Sequence, residues 1–245
     1  MCTLSFYPKP DSDGFILTFS RDEMPNRSTV EIVNDAKRGL IYPKDALHGG
    51  TWFAIDQANG RFTCLLNGAF EIHKRQLPYR KSRGLVLLDS FDYLDIEDFW
   101  NRYNFTNIEP FTIISGENNH FWELRWDGNE RHSRQLNNMK SEIWSSCTLY
   151  NQKVRSARED WFSNFLKSKK GFLDADNLQQ FHQTPHTEEP QNGILMHRPF
   201  GPETVSITQL NYLFSSQIID FEYYELGEHI ISKYQFSYGK RLMAI

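Results

Sequence analysis

The chain has 245 residues, of which 39% are hydrophobic and 15% aromatic, and this composition excludes disorder over most of its length. Its 27 Lys and Arg against 31 Asp and Glu give a formal charge of −4, which argues against a nucleic-acid partner. No apolar run approaches the roughly 18 residues of a membrane-spanning helix, and the first residues lack the charged n-region of a signal peptide. Three cysteines, an odd and sparse number, indicate a reducing compartment without disulfides. We therefore expect a soluble, cytoplasmic protein.

Short aromatic and β-branched runs in the first half of the chain predict antiparallel hairpins. Three pairs of strands are predicted around turns rich in Gly, Asn, Asp or Pro: 3–7 with 15–19, 51–55 with 62–66, and 111–114 with 121–126. Between the second and third hairpins, residues 95–103 have helical apolar spacing and begin with Asp95 at the N-cap position.

The second half of the chain predicts two helices followed by further strands. Residues 151–167 carry apolar side chains along one side, and residues 174–181 form a second predicted helix that ends before Pro185. Four strands are predicted: 142–148, 204–210, 217–224 and 231–238.

The order of hairpins, then helices, then hairpins again predicts antiparallel sheets with helices outside them, which is an α+β layered fold. The one linker-like stretch is the polar loop at 184–192. A boundary there would leave only about 50 residues behind it, which is few for an independent core. We therefore expect a single domain that comprises residues 1–245.

Cys2 is the residue that most directly suggests chemistry. Removal of the initiator methionine is favoured by a small second residue, and the mature chain would then begin with a cysteine that carries both a thiol and a free α-amine. An amine with a pKa of about 7.7 to 8.0 can accept the thiol proton, as in N-terminal threonine nucleophiles. A cysteine at position 2 also occurs by chance in many proteins.

The second feature is the sequence Ser-Arg-Asp-Glu at 20–23, directly after the predicted strand 15–19. The first hairpin would bring residue 2 beside residues 20 to 22. There Arg21 would favour the thiolate, and Asp22 would orient the ammonium group. The alternative interpretation is a solvated charged turn.

These residues carry a family resemblance. The opening Met-Cys, the Ser-Arg-Asp-Glu at 20–23 and the His-Gly-Gly-Thr-Trp-Phe-Ala-Ile at 48–55 resemble the NRDE family, also called the transport and Golgi organisation protein 2 family. Arg27 stands where the family often has an arginine. The residues in the family order are Cys2, Arg21, Asp22, Glu23, Gly49, Gly50, Thr51 and Trp52. The resemblance is carried by roughly the first 70 residues.

The resemblance implies an N-terminal nucleophile hydrolase-like fold, an αββα sandwich of two antiparallel sheets between helical layers. It also implies that Arg21 and Asp22 support the nucleophile and that Asn67 donates to an oxyanion, a contribution typically worth about 2.7 to 4 kcal/mol. Asn67 can equally be a turn residue before Gly68.

The sequence departs from the family pattern at two positions. Ser20 replaces the first asparagine of the motif, and Ser145 or Ser146 stands where a further asparagine is expected. A serine can still donate or accept a hydrogen bond, but the substitutions leave fewer amide donors for a catalytic site.

Two functions from different classes follow. The first is a cysteine amidohydrolase that acts on a non-peptide linear amide C–N bond, with Cys2 as nucleophile, its α-amine as base, Arg21 and Asp22 as the orienting pair, and Asn67 as oxyanion donor. The second is a non-catalytic carrier or homeostasis protein of the same fold, because the family has been linked to lipid, haem and membrane-trafficking processes. The ligand would be a small-molecule amide or a lipid-like molecule.

No cofactor and no metal are expected. His182 and His186 are spaced as metal ligands on a helix would be, but Pro185 interrupts that helix, and together with His197 they are interpreted as loop histidines. Cys64 and Cys147 are interpreted as structural residues.

Overall fold

A computed structural model describes residues 2–10, 13–27, 29–117, 119–169, 173–227 and 230–239. Within these residues the chain forms four α-helices and the strands of two sheets. The helices are α1 (Arg83–Asp89), α2 (Ile96–Arg102), α3 (Gln152–Ser168) and α4 (Ala175–His182). The strands are β1 (Cys2–Pro8), β2 (Gly14–Glu23), β3 (Thr29–Asp35), β4 (Leu40–Asp45), β5 (Phe53–Asp56), β6 (Phe62–Asn67), β7 (Phe111–Glu117), β8 (His120–Trp126), β9 (Arg131–Gln135), β10 (Glu142–Ser145), β11 (Glu203–Leu213), β12 (Ile218–Glu225) and β13 (Ile230–Ser237).

Both sheets are antiparallel throughout the described residues. The first sheet has the order β10-β1-β2-β11-β12-β13, and the second has the order β3-β4-β5-β6-β7-β8-β9. The second sheet therefore follows the chain as a continuous meander, whereas the first sheet joins the N-terminal hairpin to the three C-terminal strands.

The two sheets face each other across an aromatic core, and helices cover their outer faces. Phe15 of the first sheet meets Phe62 and Phe121 of the second, with ring centroids 5.4 and 5.2 Å apart. Helices α1 and α2 pack on the outer face of the second sheet, and α3 and α4 pack on the outer face of the first. This layering is the αββα sandwich that the resemblance implies, and it agrees with the α+β layered fold that the order of elements predicts, so the predicted fold class is confirmed.

Successive side chains of β1 point to opposite faces of the sheet, so this strand packs against two layers. Leu4 and Phe6 point into the core between the sheets, whereas Ser5 and Tyr7 point toward the helical layer of α3 and α4. Because both faces are covered, nearly the whole strand is buried. The polar residues on the helical side therefore need hydrogen-bond partners inside the protein.

The three predicted helices are present, and each begins directly after a capping residue, of which the sequence predicts Asp95. The side chains of Asp95, Asn151 and Asp174 each accept a hydrogen bond from the backbone amide three residues further on. The three predicted hairpins are also present, with boundaries shifted by a few residues. The strand predicted at 142–148 ends at Ser145, and a turn follows it.

Several elements were not predicted. The segment Arg131–Gln135 forms the edge strand β9 although it is polar and mostly exposed, because it pairs with β8. Strands β3 and β4 and the two-turn helix α1 were also missed. No helix in the described parts of the chain is long and apolar enough to cross a membrane.

A close approach of two glycines joins the second sheet to α1. A Cβ added at Gly50 would lie 2.6 Å from the carbonyl carbon of Gly84 and 2.8 Å from the backbone nitrogen of Leu85. These are backbone atoms, which cannot rotate away as a flexible side chain would. The contact therefore sets the distance between the Gly-Gly-Thr-Trp segment and the start of α1.

We expect Gly50→Ala to lower the free energy of unfolding by about 2 to 3 kcal/mol, because the added methyl forces two backbones apart. The matched control is Gly49→Ala, where φ is +66° but no atom lies within 4 Å of the added Cβ, and it should cost about 1 kcal/mol. Urea unfolding measures both variants. If the two variants lost the same unfolding free energy, the close approach of Gly50 to Gly84 would not be what makes Gly50 necessary.

Candidate active site

Cys2 and Arg21 face each other across the first hairpin. They are direct partners in the antiparallel ladder of β1 and β2, so their side chains lie on the same face of the sheet. Both residues line a cavity of about 440 Å³, a size typical of small-molecule sites. Asn67, at the end of β6, lines the same cavity. Three of the four predicted site residues therefore line one cavity.

Arg21 is held by a cluster of charged residues, of which Arg21, Glu23 and Asp45 are buried. Its Nη2 atom lies 2.6 Å from Oδ2 of Asp45, and its Nη1 atom donates to the backbone oxygen of Arg27 at 2.7 Å. The side chain of Arg27 in turn pairs with Glu23 at 2.8 Å and with Asp45 at 3.0 Å. The guanidinium of Arg21 also lies 4.0 Å from the ring centroid of Trp52. Arg21 is thus fixed in position beside the Cys2 side chain.

The charges of this cluster hold Asp45 in its ionised form. Burial alone would raise the pKa of the Asp45 carboxyl, but the backbone amide of His48 and the guanidinium of Arg27 lower the pKa below its usual value. Asp45 is the residue of this cluster that the sequence analysis did not identify.

Asp22 lies on the opposite face of the sheet and does not line the cavity. Its two carboxylate oxygens accept hydrogen bonds from Thr204 Oγ1 and Tyr150 Oη, each at 2.7 Å. Cys2 therefore shares the cavity with Arg21 and not with Asp22, although the hairpin brings both residues beside residue 2. The reason is that successive residues of a strand point to opposite faces.

Burial dominates the acidity of the Cys2 thiol, whose residue is only 2% exposed. Burial raises the pKa of Cys2, the negative charge of Asp22 adds to the rise, and the positive charge of Arg21 opposes it. Arg21 therefore favours the thiolate, as expected, but it does not outweigh burial. Burial also raises the pKa of Cys64 and of Cys147. All three cysteines are free.

Ser146 connects the main chains of Cys2 and Asn67. Its backbone amide donates to the carbonyl oxygen of Cys2 at 2.9 Å, and its hydroxyl donates to the carbonyl oxygen of Asn67 at 2.8 Å. Ser145 has a different partner, because Arg158 Nη1 lies 3.3 Å from its hydroxyl. Of the two serines, Ser146 is therefore the one that fixes the spacing between the two predicted site residues.

A network of buried polar groups lies behind the site, between the first sheet and α3. Arg158 is fully buried, donates to Thr3 Oγ1 at 2.5 Å and stacks on the ring of Tyr150 at 3.4 Å. Its positive charge opposes the burial that raises the pKa of Asp22. Nothing in the sequence singled out Arg158, because a charged residue on a helix ordinarily faces solvent.

The interpretation of His182 as a loop residue is wrong. His182 is the last residue of α4 and is fully buried, with Nε2 2.8 Å from Ser5 Oγ and Nδ1 2.7 Å from Ser20 Oγ. It therefore fastens α4 to β1 and β2. Among the described residues, no group of three or more His, Cys, Asp or Glu could hold a metal ion.

The arrangement of a cysteine at position 2, a paired arginine and a two-sheet sandwich agrees with a comparison against protein families. A profile described as Transport and Golgi organisation 2 matches residues 1–241. The chain belongs to the Transport and Golgi organisation 2 family. The match extends the resemblance from the first 70 residues to nearly the whole chain. Among curated proteins, none matches the sequence.

We expect the stability of this family member to fall in acid partly because of His182. Burial, with the positive charge of Arg158 adding to it, lowers the pKa of His182 to about 3 from its usual 6.5. As the pH falls, His182 is protonated near pH 6.5 in the unfolded chain but only near pH 3 in the folded chain. The free energy of unfolding therefore decreases between pH 6.5 and pH 3, by up to about 1.4 kcal/mol per pH unit.

His182→Gln tests this expectation, because glutamine keeps a donor and an acceptor but does not titrate. The difference in unfolding free energy between the two proteins should be constant above pH 7 and should change steadily in favour of the variant below pH 6. Urea unfolding at a series of pH values measures the difference. If the unfolding free energies of the two proteins changed in parallel down to pH 4, His182 would not contribute to the loss of stability in acid.

Proposed function

We propose that this protein is an N-terminal cysteine amidohydrolase that cleaves a non-peptide linear amide C–N bond, and that it acts in the cytoplasm as a single domain of residues 1–245. The observation that carries the proposal is the pairing of Cys2 with Arg21 on neighbouring strands, facing a cavity that Asn67 also lines. Acyl transfer by a cysteine uses a thiolate nucleophile and a donor to the oxyanion, and a fixed cation favours the thiolate.

The proposed reaction begins once Met1 has been removed. The α-amine of Cys2 accepts the thiol proton, and the sulfur attacks the carbonyl carbon of the amide, so that a tetrahedral oxyanion forms. The side-chain amide of Asn67 donates to this oxyanion. The C–N bond then breaks, the amine leaves with the proton, and water hydrolyses the thioester to a carboxylic acid and the free thiol.

Asp22 has a role in this reaction that does not require its side chain to enter the cavity. A backbone amine lies in the plane of the sheet, so a carboxylate on the far face can approach it as closely as one on the near face. Tyr150 and Thr204 both donate to Asp22 and hold its carboxylate in place. We assign to Asp22 the orientation of the Cys2 ammonium group that forms during attack.

The departure at Ser20 leaves the cavity intact. Ser20 lies next to Arg21 in β2 and therefore points toward the helical layer, where its hydroxyl contacts His182. An asparagine at this position would also point away from Cys2. The substitution therefore changes the support behind the sheet and removes no group from the cavity.

The alternative function is a non-catalytic carrier or homeostasis protein that binds a lipid-like or haem-like ligand. One observation favours it: burial raises the pKa of Cys2, so that with the amine blocked the thiol is a poor nucleophile. In this alternative the cavity binds a ligand without converting it. The two functions differ in whether the α-amine of Cys2 is free and used.

The first experiment compares the wild type with Cys2→Ala in a screen of linear amides, after intact mass has established that Met1 is absent from both proteins. Alanine is also small, so removal of Met1 should be preserved. We expect the wild type to release amine and to show a thioester adduct on Cys2, and we expect Cys2→Ala to show neither. Cys64→Ala is the control that loses a thiol and keeps activity. Turnover by Cys2→Ala at the wild-type rate would exclude the mechanism.

The second experiment measures cysteine alkylation by iodoacetamide at neutral pH, followed by peptide mass spectrometry. In the chain without Met1, Cys2 should react faster than Cys64 or Cys147, because the amine accepts its proton and Arg21 stabilises the thiolate. Arg21→Ala should slow the labelling of Cys2 and leave the other two unchanged. Arg102→Ala, which removes the same charge from a side chain that is 71% exposed on α2, is the control.

Equal labelling rates at the three cysteines, or no effect of Arg21→Ala, would mean that Cys2 is not activated. The carrier function would then be the better account of the cavity.

A further inference from the structure

The cavity has a second charged wall, formed by the segment after β6 and the start of α1. Arg75 Nε lies 3.4 Å from Oε1 of Glu109, and Arg83 Nη2 lies 3.2 Å from its Oε2. His73 Nε2 lies 3.2 Å from the same carboxylate. The carboxylate of Glu109 thus pairs with two arginines, so one of their two positive charges is not neutralised.

The charge of the whole cavity agrees with this local excess. Five Lys and Arg residues line it against three Asp and Glu residues, a difference of +2 in a chain whose formal charge is −4. Lys81 is neutralised by Asp89, whose Oδ2 lies 2.5 Å from the lysine Nζ. Without Lys81 the excess is still +1, so an anionic group is the complement that the cavity lacks.

The two arginines differ in their freedom to bind such a group. The Arg83 side chain is only 16% exposed, whereas that of Arg75 is 66% exposed. Because the contact of Arg75 with Glu109 uses Nε, its two Nη groups remain for a bidentate bond. The planar fork of a guanidinium matches the two oxygens of a carboxylate.

Apolar side chains and polar groups without partners also line the cavity. Leu65, Leu77 and Pro78 line the cavity together with Trp52. The Nε1 atom of Trp52 and the hydroxyl of Ser82 are buried and, among the described residues, have no hydrogen-bond partner. Buried donors without partners are unfavourable unless a bound molecule satisfies them. The cavity therefore offers apolar surface as well as charged and unsatisfied polar groups, which suits a molecule that has both an apolar chain and polar groups.

We propose that Arg75 and Arg83 form a subsite for a carboxylate, and that the substrates are linear amides that carry a carboxylate separated from the amide by an apolar chain. This inference rests on the proposed function, because it places the amide at Cys2. It adds the substrate class: the amide lies at Cys2, the chain lies against Leu77 and Pro78, and the carboxylate lies on Arg75.

The test uses two probes of nearly the same shape, 6-acetamidohexanoate and 6-acetamidohexanamide, in which an uncharged carboxamide replaces the carboxylate. Binding is measured by calorimetry on the full chain with Cys2→Ala, so that neither probe is hydrolysed. We expect the carboxylate to bind about tenfold more tightly than the neutral amide, which corresponds to one good charge-assisted interaction. Added salt should reduce the preference, because the Arg75 side chain is partly exposed to solvent.

Arg75→Ala in the same background should remove most of the preference for the carboxylate. The matched control is Lys74→Ala, which removes the same charge one residue earlier from an exposed side chain that does not line the cavity. It should leave the preference unchanged. Equal affinity for the two probes, binding of neither probe, or the same loss with Lys74→Ala would each overturn the carboxylate subsite.

The inference and the proposed function fail in different ways. Selective binding of the carboxylate probe without turnover by the wild type lacking Met1 would support the subsite and contradict the amidohydrolase. Turnover of both probes with equal affinity would support the amidohydrolase and contradict the subsite.

Discussion

The antiparallel pairing of β1 with β2 is the constraint on which the rest of the molecule depends. It places Cys2 opposite Arg21, and it also assigns every residue of both strands to either the core between the sheets or the layer of α3 and α4. A slip of one residue would exchange the two sets, so that apolar side chains would meet polar partners and the reverse. Because both faces are buried, no alternative register can place its polar groups in water.

Two systems of buried polar groups result from this alternation, and they lie on opposite faces of one sheet. On the cavity side, Arg21 and Asp45 form an ion pair with both side chains less than a tenth exposed. On the helical side, Asp22 and Arg158 are satisfied by hydroxyls and backbone oxygens. Buried charges are unfavourable unless each has partners, so the two networks hold the hairpin in one geometry from both sides.

The cavity itself depends on the second sheet and on α1. The close approach of Gly50 to Gly84 brings the wall that carries Arg83 next to Thr51 and Trp52. Residues that are far apart in the chain thus line one cavity. The first hairpin supplies a cysteine and an arginine, and the segment leading into α1 supplies two arginines around a single carboxylate.

The sequence by itself determined the α+β layered class, the main hairpins and three helices, one of them with its capping residue. Alternation, apolar spacing, turn residues and capping residues act over a few neighbouring positions, so they can be identified locally. It also determined that residue 2 lies beside residue 21, since a hairpin joins its own ends. Only the tertiary structure decided which side chains share the cavity. It turned Asp22 away from Cys2, buried His182 and Arg158, and brought in Asp45, Arg75 and Glu109 from elsewhere. These placements depend on which face of a strand or helix is covered by another layer, and that is a property of packing between distant segments rather than of local sequence.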